Sequence, residues 1–157
     1  MKNIFHGLGI ALVTPFKQNG EIDYDALKRL IKYQIENGAD FFAILATTGE
    51  CPCLSTEEKN KLTETIISVV DGRVPILKYC GGNNTAAVVE EIKQTNWKGI
   101  DGILSICPYY NKPSQEGLYQ HFKAIAKTSP LPIVLYNVPG RTGVNMKAET
   151  TVRIAND

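Results

Sequence analysis

Ile103-Leu-Ser-Ile106-Cys-Pro-Tyr-Tyr-Asn-Lys-Pro-Ser114-Gln-Glu-Gly-Leu118-Tyr-Gln-His-Phe122-Lys-Ala-Ile125-Ala126, running on through Pro130 to Ile133-Val-Leu-Tyr136, decides the fold. A short apolar run (Ile103–Ile106) gives way to a polar loop. Ser114 then stands where a helix cap is needed, and Leu118, Phe122, Ile125 and Ala126 recur at helical spacing. Pro130 follows that helix, and Ile133–Tyr136 is a second short apolar run. Strand, helix, strand over about thirty residues is a βαβ unit, whose two strands lie parallel.

The same period extends toward the N-terminus. A first strand is expected over Leu8–Val13. The helix after it is opened by Asp23 and closed near Gly38, with Leu27, Leu30, Ile31 and Ile35 on one face. A second strand covers Phe41–Leu45. Ser55 and Glu58 form a capping box for the next helix, whose stripe is Leu62, Ile66, Val69 and Val70 and whose end is Gly72. A third strand runs from Val74 to Tyr79, and Asn84 caps a helix carrying Val88, Val89 and Ile92. Past Tyr136 a last helix begins near Asn145. Strictly alternating β and α elements require a parallel sheet covered by helices. Two architectures satisfy this: a five-stranded doubly wound sheet, or a (β/α)₈ barrel, which needs around 250 residues and is then only partly present in 157.

Seventeen basic against sixteen acidic residues give no electrostatic reason for a nucleic-acid or anionic-membrane partner. No run approaches the roughly 18 apolar residues of a membrane span. The start, Met1–His6, leads into a strand-like stretch without a signal-peptide core, so a cytoplasmic location is expected. Cys51, Cys53, Cys80 and Cys107 are too few and too unevenly spaced for a disulfide framework. Cys51-Pro-Cys53 lacks further ligands at metal-site spacing, with His6 and His121 standing alone, so no metal is expected. Gly7-Leu8-Gly9 precedes its strand and lacks the third glycine of a dinucleotide fingerprint, and no Walker sequence is present. No cofactor is expected.

In either architecture the chemistry belongs just after each strand. Those segments are polar: Thr14-Pro15, Thr47-Thr48-Gly49-Glu50, Cys80-Gly-Gly-Asn-Asn-Thr85, Pro108-Tyr109-Tyr110-Asn-Lys-Pro113 and Asn137-Val-Pro-Gly-Arg141-Thr-Gly143, with Tyr136 at the last strand's end. A phenol, with a pKa near about 10 in water, becomes a base only beside donors or cations. A threonine hydroxyl can donate and accept at once and so link two phenols. Arg141 offers a planar fork that matches a carboxylate. Together these read as a proton relay with an anion clamp, although tyrosines at strand ends also cap cores with their rings. The turn Gly81-Gly82-Asn83 fits either a phosphate held on free amides or simple helix capping. Lys78, inside the third strand, is read as facing outward with its stem over a helix seam and its ammonium in water; a buried lysine would instead suit imine chemistry.

The runs Gly9-Ile-Ala-Leu-Val-Thr-Pro-Phe16, Thr47-Thr-Gly-Glu50, Gly82-Asn-Asn-Thr85, Pro108 through Phe122 and Leu135-Tyr-Asn-Val-Pro-Gly-Arg-Thr-Gly143 resemble the dihydrodipicolinate synthase family of pyruvate-dependent aldolases, over essentially the whole chain. The resemblance implies a (β/α)₈ TIM barrel, α/β in class, of which residues 1–157 make one incomplete domain with about the first five βα units. It implies condensation of pyruvate, held as a lysine Schiff base, with aspartate 4-semialdehyde in lysine biosynthesis. That lysine lies on the sixth strand in the family, so this chain alone is expected to be inactive. By the same likeness, Tyr136 passes protons to and from the bound pyruvate. Thr47 links it to Tyr110, which reaches in from a neighbouring subunit. Thr48 holds the pyruvate carboxylate, and Arg141 binds that of the semialdehyde. A homo-oligomer, a dimer of dimers, is implied. A sister aldolase and a five-stranded anion-binding module remain the alternatives. The chain departs from the family pattern at Ala46, usually glycine, and at Lys59 and Ala87, where some members use a histidine and a glutamate to bind regulatory lysine.

Overall fold

A computed structural model describes residues 4–157, so Met1–Asn3 of the N-terminal stretch lie outside the described residues. The chain divides into two compact units, one running up to Tyr79 with Lys98–Asp101 added, the other comprising Cys80–Trp97 and Gly102–Asp157.

The first unit contains β1 (Gly9–Ala11), α1 (Tyr24–Glu36), β2 (Phe41–Ile44), α2 (Thr56–Val70) and β3 (Ile76–Tyr79), with two short 3-10 turns at Thr47–Gly49 and Cys51–Cys53. β1 pairs with β2 and β2 with β3, all parallel. A doubly wound 2-1-3-4-5 sheet puts its first strand between the second and third. Here β2 lies between β1 and β3 instead, which removes the doubly wound reading and leaves the sequential order of a barrel.

The strands are shorter than their apolar runs. β1 keeps only the part of Leu8–Val13 that β2 can reach: the Leu8 carbonyl accepts from Asp40 and Phe41, and Leu12 N–H donates to Ala43. Beyond it the Pro15 carbonyl is taken by Asp23 N–H as the chain turns toward α1. β2 stops at Ile44 because Leu45 adopts a left-handed backbone (φ 56°). β3 starts after Pro75, which has no N–H for the ladder.

The helices begin where their caps lie. Asp23 accepts from Ala26 N–H at 2.8 Å at the head of α1. Ser55 N–H donates to Glu58 Oε2 at 2.8 Å while Ser55 Oγ accepts from Glu58 N–H at 3.2 Å, a complete capping box. Hydrogen bonding from the Ser55 main-chain N–H, and then from its side chain, holds the Glu58 carboxyl below its usual pKa. Ser55→Ala should therefore lower the unfolding free energy by about 1 kcal/mol. Urea titration reads this, and an unchanged midpoint would contradict it. Leu27 and Ile31 of α1, Leu62, Ile66 and Val70 of α2, and Phe42, Ile44 and Ile76 of the strands are buried in this unit.

Lys78 differs from its expected exposure. Its register partner is Ile44, and alternation places it on the face that carries Phe42, Ile44 and Ile76, all buried. The residue is only 8% exposed, so packing on that face encloses a side chain that was expected to reach water.

The second unit contains α3 (Thr85–Gln94), β4 (Gly102–Ile106), α4 (Gln115–Thr128), β5 (Ile133–Tyr136), a four-residue α5 (Pro139–Thr142) and α6 (Ala148–Asn156). β4 and β5 are parallel, with Ile103 opposite Ile133 and Ile106 opposite Tyr136. Val88, Ile92, Ile103, Leu118, Phe122 and Ile125 form the core with Cys80, Cys107 and Met146. On α4 the buried set extends to Tyr119 and His121, whereas Ala126 is exposed. α6 starts at Ala148 because Asn145 is otherwise engaged. Its side-chain oxygen accepts from Asn137 Nδ2 at 2.7 Å and its carbonyl from Gln115 Nε2 at 2.8 Å. Among the described residues no helix is long and apolar enough to cross a membrane.

Candidate active site at the carboxyl ends of the strands

In the first unit, the 3-10 turn Thr47–Gly49 follows β2 after only Leu45 and Ala46. Ala46 sits at φ −80°, ψ −172°, extended backbone open to any residue, so its methyl group is accommodated in this turn without strain. Gly49 N–H donates to the Ala46 carbonyl at 3.0 Å and closes the turn. Buried Thr14, just after β1, donates its hydroxyl to the Gly49 carbonyl at 2.7 Å and ties two strand ends together. Thr47 and Thr48 are left exposed at that end. The sequence singled out the threonine pair; the bracing by Thr14 depends on a contact 35 residues away.

In the second unit, β5 ends at Tyr136, whose carbonyl accepts from Cys107 N–H at 3.0 Å. Asn137 then fastens the chain. Its Oδ1 accepts from Met146 N–H at 3.1 Å and its Nδ2 donates to Asn145. Arg141 is presented on α5, exposed, in a turn held from within. Thr142, grouped by sequence with the polar rim, points inward instead: it is buried, and its hydroxyl lies 2.9 Å from the Val144 carbonyl and 3.2 Å from that of Val138. Gly143 closes the turn at φ 72°, where a Cβ would also stand 3.3 Å from Lys112 Cε. The Lys112 stem thus lies against the turn that carries Arg141.

That contact brings the loop after β4 beside the loop after β5. Tyr110 (φ 69°) and Lys112 (φ 47°) are both left-handed, a conformation costing about 1–2 kcal/mol for residues with a side chain. Tyr110 is 87% exposed, so its ring contributes little packing to offset this. Asn111 between them donates its main-chain N–H to the Tyr109 carbonyl at 2.7 Å and its side-chain amide to the Asn83 carbonyl at 2.7 Å. Sequence reasoning missed Asn111 because its partner lies 28 residues away.

The turn before α3 resolves toward capping. Asn84 Oδ1 accepts from Ala86 and Ala87 N–H at 3.1 and 3.3 Å, using the amides a phosphate would need. Gly81 is required for packing, since a Cβ there would come within 3.0 Å of Ile106 N. Behind the turn, His121 of α4 is buried and its Nδ1 lies 2.8 Å from Thr85 Oγ1. Burial lowers its pKa from 6.5 to about 4, which keeps the ring neutral near pH 7. His121 falls three residues after Leu118 and four before Ile125, so the helical stripe itself was the signal of its burial.

Tyr110, Tyr136 and Arg141 therefore rise from the same end of the paired strands β4 and β5, and Thr47 and Thr48 from the carboxyl end of β2. The chemistry on offer is phenol and hydroxyl proton transfer together with a guanidinium fork for a carboxylate. All four cysteines are free thiols, and among the described residues no three His, Cys, Asp or Glu side chains gather as metal ligands would.

The chain is 58% identical over 151 residues to the 4-hydroxy-tetrahydrodipicolinate synthase of Parabacteroides distasonis, covering 96% of this chain and 51% of that one. The dihydrodipicolinate synthase structure from Thermotoga maritima superposes with a TM-score of 0.94 at 48% identity, over 99% of this chain and 52% of its own. The chloride-inhibited dihydrodipicolinate synthase of Acinetobacter baumannii, in complex with pyruvate, gives 0.90 at 45% identity, over 95% and 51%. This chain accordingly spans about half the length of the relatives it matches, and its α/β fold is the corresponding part of their TIM barrel. The profile of the Dihydrodipicolinate synthetase family matches residues 4–156, and the chain belongs to that family.

Proposed function

We propose that residues 1–157 are the N-terminal half of a 4-hydroxy-tetrahydrodipicolinate synthase, a lyase that condenses pyruvate with L-aspartate 4-semialdehyde in lysine biosynthesis in the cytoplasm. The observation that carries this reading is the Lys112–Gly143 contact, which sets the tyrosine loop after β4 against the arginine turn after β5. Pyruvate is held as a Schiff base on a lysine outside residues 1–157, so this segment alone does not catalyse the condensation. Tyr136 moves protons to and from the bound pyruvate, and Thr47 passes them between Tyr136 and Tyr110 of a neighbouring subunit in a dimer of dimers. Thr48 holds the pyruvate carboxylate, and Arg141 takes the semialdehyde carboxylate. No metal or cofactor enters the scheme.

Arg141 makes the clearest test of substrate assignment. A charge-assisted pair to a carboxylate is worth about 1.5–3 kcal/mol. In the full-length enzyme, Arg141→Ala should raise the KM for the semialdehyde about 10- to 100-fold and leave the KM for pyruvate nearly unchanged. Equal changes for both substrates would contradict the assignment. Competition by a 2-keto-3-deoxy sugar acid against the semialdehyde separates the sister-aldolase reading, which expects the sugar acid to be turned over.

A further inference from the structure

We infer that Asn111 is a positioning residue for Tyr110, fixing the left-handed backbone that presents the phenol. The inference rests on the relay role proposed for Tyr110. Left-handed residues with side chains persist only where their surroundings over-determine them. Two of them, Tyr110 and Lys112, flank Asn111, and the Tyr110 ring is itself exposed. The position of the ring therefore depends on what fixes the main chain on either side.

Asn111 supplies that fixing. Its main-chain N–H folds back onto the Tyr109 carbonyl at 2.7 Å, and its side-chain Nδ2 donates to the Asn83 carbonyl, also at 2.7 Å. A longer return bond runs from Asn83 Nδ2 to Asn111 Oδ1 at 3.4 Å. The acceptor is firmly mounted. Asn83 directly precedes Asn84, whose side chain caps α3, and Thr85 at the first position of that helix is bonded to buried His121 of α4. Two packed helices therefore set the Asn83 carbonyl, and the Asn111 amide carries that position to Tyr110. The Lys112 stem against Gly143 holds the other side of the loop.

The geometry separates the two asparagines. The short bond ends on the main chain of residue 83, so Asn83→Ala keeps it and removes only the longer one. Asn111→Ala removes both side-chain bonds, and Asn111→Asp, nearly isosteric, removes the donor while keeping the volume.

In the full-length enzyme, Asn111→Ala and Asn111→Asp should each lower kcat about tenfold, the scale of a small misplacement of a reacting group, with the pyruvate KM within about twofold of the parent. Asn83→Ala should cost at most about twofold. In a Tyr110→Phe background, Asn111→Ala should produce no further fall, because its effect passes through the phenol. An unchanged kcat in both Asn111 variants overturns the inference, as does an equal fall with and without the Tyr110 hydroxyl. Should Tyr110→Phe alone leave kcat untouched, the relay role fails first, and the inference with it.

Discussion

Tyr136→Phe in the full-length enzyme should lower kcat by about 100-fold or more while pyruvate is still captured as a Schiff base. A positioned general acid or base contributes about 10²–10⁴-fold, and the substitution removes the hydroxyl while keeping the ring. The anchoring of this position makes the result interpretable. Tyr136 pairs with Ile106 in the β4–β5 register, its carbonyl accepts from Cys107 N–H, and Asn137 beside it is bonded to Met146 and Asn145. None of these bonds uses the phenol, so the fold should survive the change. Steady-state kinetics with borohydride trapping of the pyruvate adduct separates the outcomes: lost turnover with intact trapping supports proton transfer by Tyr136, and unchanged turnover would remove it from the mechanism.

A second large effect concerns acid. The His121 ring titrates near pH 6.5 when exposed in an unfolded chain, but burial lowers its pKa to about 4 in the folded protein. Between those values the unfolded chain binds a proton that the native protein does not, so stability is full above about pH 6.5 and falls as the pH drops toward 4. A difference of about 2.5 units corresponds to about 3 kcal/mol across that window. The carboxylates Glu21, Glu58, Glu116 and Asp157 have pKa values lowered by their hydrogen-bond partners. Their contribution is lost only below the ordinary carboxylate range, so the interval from pH 6.5 to about 5 isolates the histidine. Urea unfolding over that interval should show a slope that His121→Gln largely abolishes; the same slope in the variant would place its origin elsewhere.

The parts of the fold legible in the sequence are those set by near neighbours. Asp23, Ser55, Asn84 and Ser114 cap the helices they were read as opening, because a cap acts within three residues. The alternation of strand and helix followed from apolar spacing alone. Strand lengths did not, because ladder bonds depend on the neighbouring strand, and β1 shrank to the segment that β2 could pair.

At the site, the residue types pointed to the threonine pair, the tyrosines and Arg141, since their chemistry is intrinsic. What holds them was hidden. Thr14 reaches Gly49 across 35 residues and Asn111 reaches Asn83 across 28, and local sequence does not encode such pairs. The 3-10 turn at Thr47–Gly49 and the four-residue α5 are too short to show a helical period. Lys78 shows the same limit from another side: strand alternation offered two faces, and only packing determined that its face is closed.

Borohydride reduction of the full-length enzyme with pyruvate, followed by peptide mapping of the modified lysine, tests the proposed division of labour most directly. The adduct should map outside residues 1–157, on a lysine served by the hydroxyl groups of this segment. An adduct on Lys78, or on any other lysine within residues 1–157, would contradict the account.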